Sequence, residues 1–380
     1  MKYTLLSILS VLMLILASCA TTPPAPAESS EQQNTPKEQP SAPRVSAVEK
    51  TKETIPVQIP QGTEAEKNAN EENLEQQNLE ENSVWVIDAD KLEIVQKIPV
   101  GRTPSDVAIT PNGYYAAVTN GGDNTLTIID LTSNRVLSTI EVGAKPKAVT
   151  FVPISDLVVV ANIDEGSLSV VNLTSQSVDS TIPVSKRPSS LTASPEGKYV
   201  FVTSSGEDII EKVNLFIKRA TGKAKVGEVP IAITQTNDKE KIFVANERSG
   251  GISVIDGVDM SRKKKFDIIV GAQPRALTVG AHDEEVYVVN KGDGMLSVID
   301  TQKYTVEKQL NVGISPVSIT FAEGIGTSGR IFVADAKANT VVAIDRHSWQ
   351  VIRSIPVGKN PVALAGTKNK LLVVNQGEED

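Results

Sequence analysis

From residue 83 to the C-terminus, apolar runs of about six residues alternate with small polar turns, and the runs come in groups of four. Residues 106–110, 114–119, 125–129 and 135–141 make one such group, rich in Val, Ile, Thr and Tyr. Between them stand Pro111-Asn112-Gly113 and Gly121-Gly122-Asp123, residue types that reverse a chain rather than extend it. Strand-length runs joined by tight turns predict an antiparallel meander of four strands, A to D.

The group recurs. Pro104, Pro146, Pro188, Pro230, Pro274, Pro316 and Pro361 are spaced by 42, 42, 42, 44, 42 and 45 residues. A period in this range marks a repeat architecture, and four strands per period select a propeller, whose radial packing leaves only short protected edges. A Val-Gly pair precedes six of the prolines, as in Val100-Gly101 and Val142-Gly143, and Val184-Ser185 is the departure. Strand B ends at Asn120, Asn162, Ser204, Asn246 and Asn290, and strand C at Asp130, Asn172, Asn214, Asp256 and Asp300. The sixth repeat is lengthened by three residues within 323–330, which makes its equivalents Asp335 and Asp345. After Pro361 only two strands remain (362–365 and 371–374), and before Pro104 there are also only two (84–87 and 93–99). Two and two complete a seventh blade. The expectation is an all-β, seven-bladed β-propeller over residues 83–380, with its ring closed by strands from both termini. The glycine before each proline is expected to supply a positive φ in the D–A loop, and the residue ending strand C to cap the turn that follows.

Strand-B endings such as Ala117-Val-Thr-Asn120, Val159-Val-Ala-Asn162 and Tyr287-Val-Val-Asn290, with strand-C endings such as Ile128-Ile-Asp130, resemble the YVTN-type β-propeller repeat family. The resemblance covers nearly all of residues 83–380. It implies a surface-layer-like or periplasmic propeller. Related propellers include sugar lactonases and periplasmic proteins that bind DNA, so the resemblance implies fold more firmly than activity.

The first 18 residues read as a secretory signal: Lys2, an apolar run over residues 5–16, then Leu16-Ala17-Ser18-Cys19. The run is too short to span a bilayer of about 30 Å. Its end resembles the bacterial lipobox, which implies diacylglycerol and fatty acyl (palmitate-type) modification of Cys19, and Ala20 after it implies sorting to the outer membrane. Cys19 is the one cysteine of the chain, so an intrachain disulfide is excluded. Residues 19–82 are rich in Pro, Glu, Gln, Ser and Asn, the composition of a disordered tether. Residues 20–82 carry 12 acidic and 5 basic side chains against 34 and 32 over residues 83–380, so the acidity belongs to the tether.

Two histidines and one cysteine cannot assemble a Cys/His zinc site, and no metal or other cofactor is expected. His282 and His347 fall in turns away from the D–A loops. Aromatic residues are 4% of the chain, too few to interleave with a basic stripe, so nucleic acid is not the expected partner. Function is sought where the repeats differ. The D–A loops of consecutive blades carry Lys359, Arg102, Lys145, Lys186 and Arg187, with Lys147 and Arg275 just past their prolines. This predicts a basic arc at one half of the channel mouth, backed by Asp123, Asp164, Glu165, Glu207, Asp208, Glu247 and Asp293 of the B–C loops. Positive charge at a narrow mouth attracts anions. Arg262-Lys263-Lys264-Lys265 forms a second run in a C–D turn, and residues 209–222 of the third repeat depart from pattern. The expectation is a non-catalytic binding or scaffolding lipoprotein whose partner is an envelope protein or anionic glycan. A small-molecule ligand, a lactonase-like or carboxylate-dependent hydrolase, and a nucleic-acid-binding propeller are the alternatives.

Overall fold

The computed structural model of the chain describes residues 80–264, 267–322 and 329–377. The chain separates into two units, Met1–Pro60 and Gln61–Asp380. The signal segment, Cys19 and the tether up to residue 79 lie outside the described residues.

The described residues form seven four-stranded antiparallel sheets. In blade 1 the strands are Pro104–Ile109, Tyr115–Asn120, Thr125–Asp130 and Arg135–Glu141. Blades 2 to 6 follow in chain order from Pro146, Pro188, Pro230, Pro274 and Pro316. Blade 7 takes strands A and B from Pro361–Gly366 and Lys370–Asn375, and strands C and D from Ser83–Asp88 and Glu93–Pro99. Val84 stands opposite Val374 across the closing seam. Strands B and C carry nearly unbroken buried apolar runs because both faces of each sheet are covered by neighbouring blades. Val158, Val159 and Val160 are all fully buried. Strands D lie at the rim and expose Val95, Leu137 and Val351.

Strand A lines the axis, and its register with strand B slips once in every blade, immediately after the proline. Pro146 stands opposite Asn162 and Ala148 opposite Ala161, so the strand register skips Lys147. The same slip leaves out Ser105, Ser189, Ile231, Arg275, Val317 and Val362. A bulge of this kind re-aims one side chain, and here it turns the residue after each proline toward the channel.

Gly313 of blade 6 (φ 153°) carries the positive φ expected of the D–A glycines, and the glycines of the other blades do not. In those six blades it falls on the residue directly before the proline: Thr103 (φ 45°), Lys145 (53°), Arg187 (56°), Val229 (55°), Gln273 (53°) and Asn360 (49°). Its carbonyl accepts an N–H from the B–C loop, as in Ile163 to Lys145 (3.1 Å) and Glu247 to Val229 (2.9 Å). The glycine is required for a different reason. It lies against the buried asparagine ending strand B, and a Cβ on Gly143 would stand 2.3 Å from Asn162 Nδ2. Asn162 Nδ2 in turn donates to Ser167 and Ser169 Oγ at 3.0 and 2.9 Å.

Blade 3 keeps this geometry with different chemistry. Strand B ends in Ser204 and leaves room for Ser185, and the buried Glu211 replaces the small hydroxyl of strand C. Glu211 Oε2 accepts the Ser185 N–H at 2.6 Å, and Oε1 pairs with Lys223 Nζ at 2.8 Å. The turn after strand C is capped as expected: Asp130 Oδ1 accepts the Thr132 N–H at 2.7 Å. Bonds from the Thr132 hydroxyl first, with those from Thr132 N–H and Ser133, pull the Asp130 carboxyl down to about 2.

In blade 4 strand D shrinks to Ile268–Ile269. The basic run before it is held internally. Arg262 pairs with Asp267, Lys263 with Asp256 (2.9 Å), and Lys264 Nζ donates to the Tyr304 carbonyl (2.9 Å). Blade 3 exposes Phe216 and Ile217 in its C–D turn.

Candidate functional site

D–A and B–C loops share one face, tied to each other by the recurring backbone bond described above. The acidic residues of the B–C loops hold that face together. Asp123 Oδ2 accepts the Arg102 N–H (2.6 Å), Glu165 Oε2 that of Ala144 (3.1 Å), Glu207 Oε1 that of Lys186 (3.2 Å) and Asp293 Oδ2 that of Ala272 (2.9 Å). Much of the acidic ring is therefore committed to loop structure.

The axis holds a channel cavity of about 580 Å³. Two rings of equivalent positions line it: the bulged residue after each proline, and the residue after the asparagine of strand B. The first ring supplies Lys147 and Arg275, the second Glu247 and Lys291. Arg187 and Asp106 complete the charged groups of the wall. Arg275 stands 3.8 Å from Glu247, across the seam between blades 5 and 4. The remaining wall is uncharged: Ile231, Val317 and Val362 are apolar, and Asn360, Gln376 and several serines are polar.

Asp106 bridges two blades: its Oδ1 accepts the Val107 N–H and its Oδ2 the Val149 N–H of blade 2, both at 2.9 Å. Burial pushes its carboxyl up to about 6, against the lowering pull of those N–H groups and of Lys147. Ser318 holds the equivalent place in blade 6 and accepts the Leu364 N–H at 3.0 Å.

The five residues of the expected arc divide. Arg187 lies on the channel wall. Lys145 and Lys186 are exposed in their loops, with no side-chain bond among the described residues. Arg102 and Lys359 are neutralised locally, by Asp123 at 2.6 Å and by Glu81 at 2.9 Å. Lys147, Arg275, Lys291, Asp106 and Glu247 are the other charged residues of the wall. Lys291 was not singled out by its loop, but its place directly after Asn290 matches that of Glu247 after Asn246, and aligning the repeats exposes it. His282 and His347 lie in the A–B turn of blade 5 and the C–D turn of blade 6, on the opposite face. Among the described residues no three His, Cys, Asp or Glu side chains are grouped to hold a metal ion.

A seven-bladed, four-stranded all-β ring around a polar channel defines the class as β-propeller. A sequence model of the YNCE-like beta-propeller matches residues 185–370. That match and the seven blades fit a YVTN-type propeller family. Among solved structures, Kuenenia stuttgartiensis hydrazine synthase is similar at 15% identity and a TM-score of 0.61, over 70% of this chain and 90% of that one. A functionally unknown protein from Desulfotomaculum acetoxidans DSM 771 is similar at 17% identity and a TM-score of 0.63, over 77% and 99%. At these identities the likeness is one of fold. No curated protein matches the sequence.

Proposed function

We propose that this propeller is a non-catalytic binding module of the bacterial cell envelope, anchored by lipid at Cys19 to the outer membrane, that presents its D–A/B–C face to an anionic partner. The partner is a protein or a glycan carrying carboxylate or phosphate groups. One observation carries the reading: Lys145, Lys186, Arg187 and Lys291 share this face and have no ion pair among the described residues, while neighbouring acids are spent on backbone N–H groups. Uncompensated cations at a concave mouth focus the field outward and recruit anions.

The test is crosslinking in cells and recovery of the lipidated protein, compared with a variant carrying alanine at those four positions. Loss of a specific partner from the variant, with unchanged melting, supports the reading, and identical partners in both would sink it. Cys19→Ser is expected to release the protein from membranes, and its retention there would overturn the anchor.

A further inference from the structure

Seven residues with left-handed backbone close the C–D turns, one per blade, each at the mouth of the cleft toward the preceding blade. Their φ values run from 52° to 65°. In four blades the residue is large, apolar and folded into that cleft. Leu92 packs with Phe332 of blade 6, Met260 with Phe201 of blade 3, and Tyr304 with Phe243 of blade 4. Trp349 meets Tyr287 of blade 5 edge-on, with ring centroids 6.1 Å apart. In two blades the residue is polar and bonded across the same seam. Asn134 Oδ1 accepts from Lys370 Nζ of blade 7 at 3.2 Å, and Lys218 Nζ pairs with Asp179 of blade 2 at 3.1 Å.

Gln176 of blade 2 does neither. It is exposed, and its side chain makes no bond among the described residues. The cleft it leaves unfilled, between blades 1 and 2, is a cavity of about 780 Å³. Tyr115, Ile128, Leu137, Phe151 and Leu173 provide its apolar lining, and Asp156 is the one charged residue on its rim. The Asp156 side chain accepts a single hydrogen bond, from Thr174 Oγ1 at 3.2 Å.

We propose that this cleft binds an aromatic side chain of a partner polypeptide, presented beside a basic residue. The four filled clefts state the shape: the chain's own turns insert Leu, Met, Tyr and Trp at the position where Gln176 only lines the wall. The charge follows from Asp156, which offers a carboxylate to a cation next to the inserted ring. The Trp349 plug shows the same pairing within the chain, since Arg346, three residues before it, pairs with Glu285 of blade 5 at 2.8 Å. Burying an aromatic ring removes about 150–250 Å² from water, enough to anchor a short segment. The cleft lies on the A–B/C–D face, so this inference stands apart from the channel mouth.

The test titrates the protein by NMR with indole, N-acetyl-tryptophanamide and blocked arginyl-tryptophanamide. The dipeptide is expected to saturate and to bind more tightly than the other two. Gln176→Trp plugs the cleft from within, as Trp349 does, and is expected to weaken the dipeptide on the order of tenfold or more without lowering the melting temperature. Asp156→Asn is expected to remove the advantage of the dipeptide over N-acetyl-tryptophanamide and nothing else. Indole binding as tightly as the dipeptide would assign the cleft to free small aromatics and overturn the polypeptide reading. Unchanged affinity in a folded Gln176→Trp, or no saturable binding of any probe, would overturn the site itself. Gln176→Leu, which imitates Leu92, gives the same readout if the tryptophan is not tolerated.

Discussion

A Cβ on Gly101 would stand 2.7 Å from Cγ of Asn120. The same crowding links Gly227 to Asn246, Gly271 to Asn290 and Gly358 to Asn375, whereas blade 3 has Ser185 and Ser204 at the equivalent positions. Asn120 cannot easily yield, because its Nδ2 donates to Thr125 and Thr127 at 3.0 and 2.8 Å. Gly101→Ala is therefore expected to destabilise by about 1–3 kcal/mol through overpacking. Asn120→Ser alone should also destabilise, by losing those bonds, and the double variant should be more stable than the sum predicts. Urea unfolding of the four proteins measures the coupling, and strict additivity would show that the two residues do not press on each other.

Asp106 makes stability pH-dependent in an unusual direction. Its folded carboxyl titrates at about 6, above the ordinary carboxylate range, so the folded state holds the proton more tightly. Its contribution is complete below about pH 4 and is lost as pH rises through about 6. Asp106→Asn, which keeps an acceptor but cannot ionise, should remove that decline. Between pH 4 and 7 the stability difference between the two proteins is expected to shift on the order of 2 kcal/mol in favour of the variant. Parallel melts across that range check it, and curves that stay parallel would show that the carboxyl titrates normally.

Blade 3 offers a compensated substitution. Glu211→Ser removes the acceptor of the Ser185 N–H and the partner of Lys223, with an expected cost of about 2–4 kcal/mol. Adding Ser185→Gly and Ser204→Asn rebuilds the glycine, asparagine and hydroxyl set of blades 2, 4 and 5. The triple variant should recover most of the loss, as read by thermal unfolding. A triple variant less stable than the single one would mean that blade 3 has a backbone of its own.

The blade count, the closure by both termini and the strand limits were legible because each depends on periodicity and turn chemistry, which are local. Arg135–Glu141 lies where the alternation places it, and Tyr115–Asn120 begins and ends one residue later than the expected 114–119. The role of the glycines was not legible. A Val-Gly before a turn reads as a backbone requirement, but the requirement comes from Asn120, Asn162 and their equivalents, nineteen residues further along and packed against it only in the folded blade. The basic arc was legible as a set of loop residues and not as a site. Whether a loop cation is available depends on its neighbour, and Arg102 has Asp123 while Arg187 has the channel.

The sequence by itself determined the architecture, because a propeller is one local unit written seven times and any single repeat carries the information for a blade. The tertiary structure decided which side chains face the axis and which clefts stay open. A one-residue bulge after each proline turns Lys147 and Arg275 inward. A single position in each C–D turn either fills or bridges the seam to the preceding blade or, at Gln176, leaves it open. Both depend on contacts between strands of different blades, and those contacts exist only once the ring has closed.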